Sequence, residues 1–236
     1  MLPTLDAGEA HTWRVSLDVS RDTTARLYAT LSGDERNRSA RLRFGRDRQH
    51  FIVAHGAMRE VLGCYLAVQP GHIRFVYNEF GKPSLGPELG SALNFNLSHS
   101  AGLALIAIVA GADIGVDLEY IRPQFDYDEI ARCCFSAADV ENLRSVPAHR
   151  YAAAFLACWT KKEAYVKARG EGLAMPLPSF SGRRLHRAWS IYSLRPAAGF
   201  VGALAIEGSR WRVRHRHWHA SVHDHQRVAI VPRVNT

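Results

Sequence analysis

Asp117 and Glu119 stand two residues apart in Gly115-Val116-Asp117-Leu118-Glu119. About forty residues later comes Trp159-Thr160-Lys161-Lys162-Glu163-Ala164-Tyr165-Val166-Lys167. In a strand, residues i and i+2 point to one face, so the two acids converge while Val116 and Leu118 pack inward. In a helix, residues i and i+4 share a face, which sets Glu163 beside Lys167. Three carboxylates and an ammonium suit a hard divalent cation next to a phosphate group. Taken singly, each segment also fits a blander reading: a solvated strand end, and a surface Glu–Lys helix pair.

Two further segments point the same way. Phe95-Asn96-Leu97-Ser98-His99-Ser100 closes a strand with small polar residues, and its histidine can donate to phosphate oxygens or serve as a hydrogen-bonded structural ring. Gly81-Lys82-Pro83 is a stiff turn carrying one cation. Lysine is scarce, with 4 residues against 26 arginines, and Lys82, Lys161, Lys162 and Lys167 all fall in these segments. A flexible ammonium acts on phosphate as a point charge that arginine does not always replace.

The elements that must hold these groups follow from periodicity. Trp13, Val15, Leu17 and Val19 alternate as a strand over 13–19. Ser32-Gly33-Asp34-Glu35 reads as a capping box that opens a helix. Phe51, His55, Met58, Leu62 and Tyr65 recur at helical spacing and predict a long helix over about 47–67. A strand over 73–77, the turn 79–83, and strands near 93–97, 103–110 and 113–119 follow. The run Leu103 to Val109 suits a strand buried on both faces. Helices are predicted at 127–134, 137–145 and 148–169, the last ended by Gly170 and Gly172. Strands fit 188–194, 200–206, 210–218 and 227–231. The fold class is therefore α+β. Each half runs helices first and strands second, which suggests two similar lobes, 1–112 and 113–236, with a cleft between them.

The chain has 236 residues, 47% hydrophobic, enough for a substantial core. No apolar run reaches the length of a membrane span, and the first residues lack a secretory pattern. Cys64, Cys133, Cys134 and Cys158 show neither metal nor disulfide spacing, so a reduced, cytoplasmic setting is expected. The net charge of +8 favours anionic partners. The tail Arg214-His215-Arg216-His217-Trp218-His219, with His223 and His225, puts three histidines on one strand face. Zinc is conceivable there, and so is an exposed neutral face.

In this order, Gly-Lys-Pro, Phe-Asn-Leu-Ser-His-Ser, Gly-Val-Asp-Leu-Glu and Trp-x-x-Lys-Glu-Ala-x-x-Lys resemble the surfactin-synthetase-type (group II) 4′-phosphopantetheinyl transferases over about residues 30–206. The resemblance implies a pseudo-dimer of two α+β lobes with coenzyme A in the cleft. It implies transfer of the phosphopantetheine arm to a serine of an acyl or peptidyl carrier protein, with release of 3′,5′-ADP. By the same resemblance Asp117, Glu119 and Glu163 hold Mg²⁺, for which Mn²⁺ can substitute. Glu163 accepts the serine proton, and Lys167 neutralises phosphate charge, with Lys162 as a secondary residue there. Ser98 and His99 contact the cofactor's phosphates, and Lys82 with Pro83 lines the nucleotide end. Arg36 and Arg38 match the family's 3′-phosphate stretch. Arg48 and Arg59 lie on the next helix, where a solvated basic face is the alternative. Relatives usually carry Glu where this chain has Asp139, which fits a first-turn acid after the Ser136 cap. Tyr120 to Phe125, with Arg122 and Pro123, combines apolar and basic groups suited to docking a carrier. A soluble monomer with no membrane or nucleic-acid partner is expected. Two competing readings are a nucleic-acid module built on the arginine stretches and a non-catalytic carrier-binding relative.

Overall fold

The computed structural model describes residues 3–122, 125–172 and 188–220. Strand β1 (Glu9–Ser16) is followed by helices α1 (Arg21–Thr30), α2 (Gly33–Ala40) and α3 (Gly45–Leu66). A short hairpin, β2 (Phe75–Tyr77) and β3 (Pro83–Leu85), precedes β4 (Leu93–Ser100), β5 (Leu103–Ala110) and β6 (Ile114–Tyr120). Helices α4 (Asp128–Cys134), α5 (Ala137–Arg144) and α6 (Ala148–Arg169) come next, then β7 (Trp189–Leu194), β8 (Phe200–Glu207) and β9 (Arg212–His217). The α+β class holds, and the sequence-based bounds of the helices after residue 31 agree within two residues.

Two sheets carry the architecture, ordered β4-β5-β1-β9 and β6-β8-β7. Alternation along each strand divides its side chains between two layers. Val15, Phe95, Ile106 and Ile108 face α3, where they meet Val53, Ala57 and Leu62. The intervening residues Leu105, Ala107 and Val109 face the second sheet and pack on Val116, Leu118 and Leu204. On the far side of that sheet, Ala203, Ala205 and Trp189 meet Ala164, Tyr165 and Ala168 of α6. A long helix, two sheets and a second long helix thus stack in order.

Two features differ from the sequence reading. First, β1 begins at Glu9 and stops at Ser16, because the pairing with β5 ends at Ser16–Leu103. The chain then turns at Ser20, whose side chain accepts from the Thr23 amide and starts α1, a helix the periodicity did not reveal. Second, β9 lies parallel to β1 as an edge of the first sheet. A division at residue 112 therefore separates every other large-sheet strand but leaves β9 with the strands of the first half. The predicted strand at 227–231, together with His223 and His225, lies outside the described residues.

The two halves share a local device. Ser32 caps α2 through a capping box closed by Glu35, and Ser136 caps α5 through one closed by Asp139. Glu35 then pairs with Arg59, and Asp139 with Lys162. Arg59 and Lys162 are each the fifteenth residue of a 22-residue helix. Both cations are buried, so each N3 acid serves as a helix cap and as the counter-ion that makes a buried charge tolerable.

Candidate active site

The site lies where β4, the edge of the first sheet, runs beside β6, the edge of the second. Polar side chains of β4 bridge the two. Asn94 Nδ2 donates to the Ala112 carbonyl, and the Val116 amide donates to Asn96 Oδ1, both at 2.9 Å. Ser98 Oγ donates to Asp117 Oδ1 at 3.1 Å, and Ser100 Oγ donates to Glu119 Oε2 at 3.0 Å. The Tyr120 amide in turn donates to Ser100 Oγ at 3.2 Å. The alternation Asn-Phe-Asn-Leu-Ser-His-Ser thus has a local cause. Phe95 and Leu97 join the α3 core, while the residues between them bridge to β6 in place of a backbone ladder.

Helix α6 supplies the opposing groups. A Cβ at Gly115 would lie 2.1 Å from the Ala164 carbonyl oxygen and 2.4 Å from the Ala168 amide nitrogen. Only glycine lets α6 lie this close to β6. The approach sets Lys167 Nζ 2.6 Å from Asp117 Oδ1 and 3.2 Å from Ser98 Oγ. Asp117 is buried, as are Val116 and Leu118, while Glu119 and Glu163 are partly exposed. Asp117 Oδ2 and Glu163 Oε1 are buried oxygens without a hydrogen-bond partner.

Electrostatics ties the acids together. Burial pushes the Glu163 carboxyl up, the neighbouring Asp117 pushes it further, and Lys167 opposes both. Glu119 rises for the same two leading reasons, opposed by the Ser100 hydrogen bond. Among the described residues, no three His, Cys, Asp or Glu side chains are grouped closely enough to hold a metal ion; Lys167 stands against Asp117 instead. The donor set nevertheless fits a hard cation in character. It offers carboxylate oxygens from a strand and a helix, two of them buried and unpartnered, in a region where the charge of Asp117 raises the proton affinity of Glu119 and Glu163.

The residues expected at the nucleotide end are spread differently. His99 follows Ser98 on β4 and is exposed on one side. Protein packed around the rest of its ring lowers its pKa, and the positive charge of His55, Lys167 and His50 lowers it further. Lys82 Nζ donates to the Ala168 carbonyl near the end of α6 and lies 3.7 Å from Asp113. Pro83 opens β3 opposite Tyr77. Asn78 Nδ2 donates to the Gly170 carbonyl at 2.8 Å, so the Gly-Lys-Pro hairpin is clipped to the helix that carries Glu163. Arg36 donates to the Ala29 carbonyl at 3.0 Å, and Arg38 lies over the Tyr77 ring at 4.8 Å. Arg48 is exposed and donates to the Leu42 carbonyl.

Two expected contacts are not brought to the seam. The Arg59 side chain is 1% exposed. Its Nε donates to Glu35 Oε2 at 2.7 Å and its Nη1 to the Pro70 and Ile73 carbonyls. The guanidinium is spent inside the fold and presents no face to a phosphate. Lys162 is fully buried, with Nζ 2.9 Å from Asp139 Oδ2 and 5.3 Å from the Phe135 ring centre. It points away from a solvent-borne cofactor, and Asp139 acts as its counter-ion and as the α5 cap. Sequence reasoning passed over Asn96 and Ser100 as structural groups. Their signal was present in the strict polar alternation of β4.

Beyond Glu119, Tyr120 and Phe125 are 40% and 46% exposed, and Arg122 is exposed. Tyr120 packs its edge on Phe200, while Ile121 joins the cluster of Tyr127 and Phe155. Pro123 lies outside the described residues. In β9, His215 Nδ1 bonds Thr12 Oγ1 at 2.7 Å and His217 Nδ1 meets Arg14 at 3.3 Å, so both rings have partners in β1.

Comparison with known proteins identifies the family along both halves of the chain. Residues 113–231 match the family model described as the 4′-phosphopantetheinyl transferase superfamily, and residues 13–110 match that of the 4′-phosphopantetheinyl transferase N-terminal domain. The chain is 40% identical to the 4′-phosphopantetheinyl transferase HetI of Nostoc sp. strain PCC 7120 over 224 residues, covering 91% of this chain and 94% of that protein. It is 31% identical to the 4′-phosphopantetheinyl transferase Sfp of Bacillus subtilis strain 168 over 169 residues, covering 72% and 73% of the two chains. A putative 4′-phosphopantetheinyl transferase of Synechocystis sp. strain PCC 6803 is 33% identical over 146 residues, or 62% of this chain and 59% of that one. With both halves matched by family models and HetI 40% identical over nine-tenths of this chain, the chain belongs to the 4′-phosphopantetheinyl transferase superfamily.

Proposed function

We propose that this enzyme transfers the 4′-phosphopantetheine arm of coenzyme A to a serine of an acyl or peptidyl carrier protein, with Mg²⁺ as cofactor and 3′,5′-ADP as leaving product. The observation that supports the reading is the seam where Lys167 pairs with Asp117, with Glu119 and Glu163 nearby, braced by Gly115 and by β4. In the reaction the serine oxygen forms a bond to the β-phosphorus, and the anhydride bond to the nucleotide breaks. Phosphoryl transfer of this kind depends on positioning and charge neutralisation more than on covalent help.

Asp117, Glu119 and Glu163 would hold the Mg²⁺. When bound, the ion neutralises pyrophosphate charge. Glu163 has a raised affinity for protons in its buried setting and takes the serine proton, directly or through water. Lys167 gives up part of its contact with Asp117 to meet the phosphate oxygens and the charge on the departing nucleotide. Ser98 and His99 orient the phosphates from β4, while Lys82 and Pro83 border the nucleotide end. Arg36 and Arg38 are the arginines available to a 3′-phosphate. The exposed Tyr120 and Phe125, with Arg122 on the rim, receive the carrier beside Glu119. We read the enzyme as a cytoplasmic monomer; among the described residues no helix is long and apolar enough to cross a membrane.

The reading is tested by chromatographic detection of 3′,5′-ADP after mixing the protein, coenzyme A and an apo-carrier. Release that requires Mg²⁺, stops with a chelator and is lost in Asp117→Ala supports it. Undiminished release in the chelated sample would remove the metal from the account.

A further inference from the structure

We infer that Ser100 is a positioning residue for Glu119, and that its hydroxyl sets the strength with which the acid seam takes a divalent cation. The inference rests on the metal reading proposed above and deepens it.

A glutamate side chain has three rotatable bonds, and an exposed one loses considerable rotamer freedom when it is fixed. Glu119 sits near the end of β6 and is only partly buried, so packing alone does not hold it. Ser100 supplies the restraint. Its Oγ donates to Glu119 Oε2 at 3.0 Å, and the Tyr120 amide donates back to the same oxygen at 3.2 Å. The amide uses one lone pair of the hydroxyl, which directs the single proton toward the carboxylate. No other hydrogen bond reaches the Glu119 carboxylate among the described residues. One of its oxygens is thus tied and the other left for an incoming ligand.

Ser100 is itself held. It closes the pairing of β4 with β5 opposite Leu103, and Asn96 two rungs earlier fixes β4 to the Val116 amide. Ser98 does the corresponding work at Asp117 but also touches Lys167, so its loss would mix two effects. Among the described residues Ser100 makes no contact with a cation, and it isolates the orienting role. Outer partners that orient a ligating carboxylate typically change metal affinity by about 10- to 100-fold when removed.

The experiment uses the full chain and Mn²⁺ as probe. Free Mn²⁺ is measured by electron paramagnetic resonance during titration, with and without coenzyme A, alongside thermal melting and coenzyme A binding in a chelator. Ser100→Ala should bind Mn²⁺ about tenfold more weakly. Its melting and its metal-free coenzyme A affinity should stay at wild-type levels, and Ser100→Thr, which keeps the hydroxyl, should restore Mn²⁺ binding. Should the alanine variant fail to fold, Ser100→Cys keeps the shape with a much weaker donor and takes its place. Wild-type Mn²⁺ affinity in Ser100→Ala, or failure of threonine to restore it, overturns the inference and leaves the acid seam standing. A wild-type protein that takes up no Mn²⁺ in either condition overturns the metal reading, and the inference with it.

Discussion

Replacing Arg59 by methionine separates a structural cation from a phosphate ligand. Methionine retains much of the arginine stem's bulk and removes the charge. The change leaves Glu35, whose side chain is 1% exposed, with His55 at 3.4 Å and the Ser32 amide as its remaining partners. It also removes the donor to the Pro70 and Ile73 carbonyls. Breaking a buried pair by deleting one member costs about 3–5 kcal/mol. The linkage carried by the whole Glu35 network is of the same order. Burial by itself would push the Glu35 carboxyl up, yet His55, Arg59 and Ser32 together hold it at about 2 against an ordinary 4.5. That difference corresponds to about 3 kcal/mol of linkage. The sign follows from the lowered value. This stability is present above pH 4.5 and is lost as the pH falls toward 2. At roughly 2–4 °C per kcal/mol for a chain of this size, Arg59→Met should lower the melting temperature by roughly 6–20 °C. It should also flatten the acid limb of the stability profile. The KM for coenzyme A, measured well below the new melting point, should not change. Glu35→Gln added to Arg59→Met should recover part of the loss, since replacing both partners spares the buried charge. A variant that melts like wild type and binds coenzyme A more weakly would refute this reasoning and return Arg59 to the cofactor.

Four further outcomes are expected. Glu163→Gln should lower kcat at least about 100-fold, the low end for loss of a general base, with little change in coenzyme A affinity in a binding assay. Gly115→Ala must push α6 away from β6 and should cost stability by about 1–3 kcal/mol together with turnover; a variant that keeps wild-type kcat would show that the close approach is not needed. Arg38→Ala should weaken coenzyme A more than 3′-dephospho-coenzyme A, and equal losses for the two would remove Arg38 from the 3′-phosphate. Phe125→Ala should raise KM for the carrier alone, and the defect of Arg122→Glu should narrow with added salt, as rim charges act chiefly on encounter.

Much of this was legible from local pattern. The long helices showed themselves through apolar spacing, and the Ser32 capping box and the Ser136 cap marked the helices that precede them. The acids of β6 were legible because period two has only one meaning in a strand flanked by Val116 and Leu118. What escaped depends on partners remote in sequence. Arg59 continues the stripe of Phe51 and His55 at helical spacing, and its charge suggested solvent. Only Glu35, delivered by another helix, makes its burial tolerable. Lys162 escaped for the same reason, since its counter-ion Asp139 arrives from α5. The Arg-His alternation of β9 read as a strand, but its place beside β1 did not show, because parallel pairing joins residues about 200 positions apart. Ser100 had no assigned role until β6 stood beside it.

The central claim is that this seam delivers phosphopantetheine to a carrier serine, and the most direct measurement is the intact mass of an apo-carrier after incubation with the protein, coenzyme A and Mg²⁺. The account predicts that the carrier gains one phosphopantetheine group, that the wild-type enzyme far outpaces Glu163→Gln, and that a carrier lacking the acceptor serine gains nothing. Modification of the serine-less carrier, or equal rates for wild type and Glu163→Gln, would contradict it.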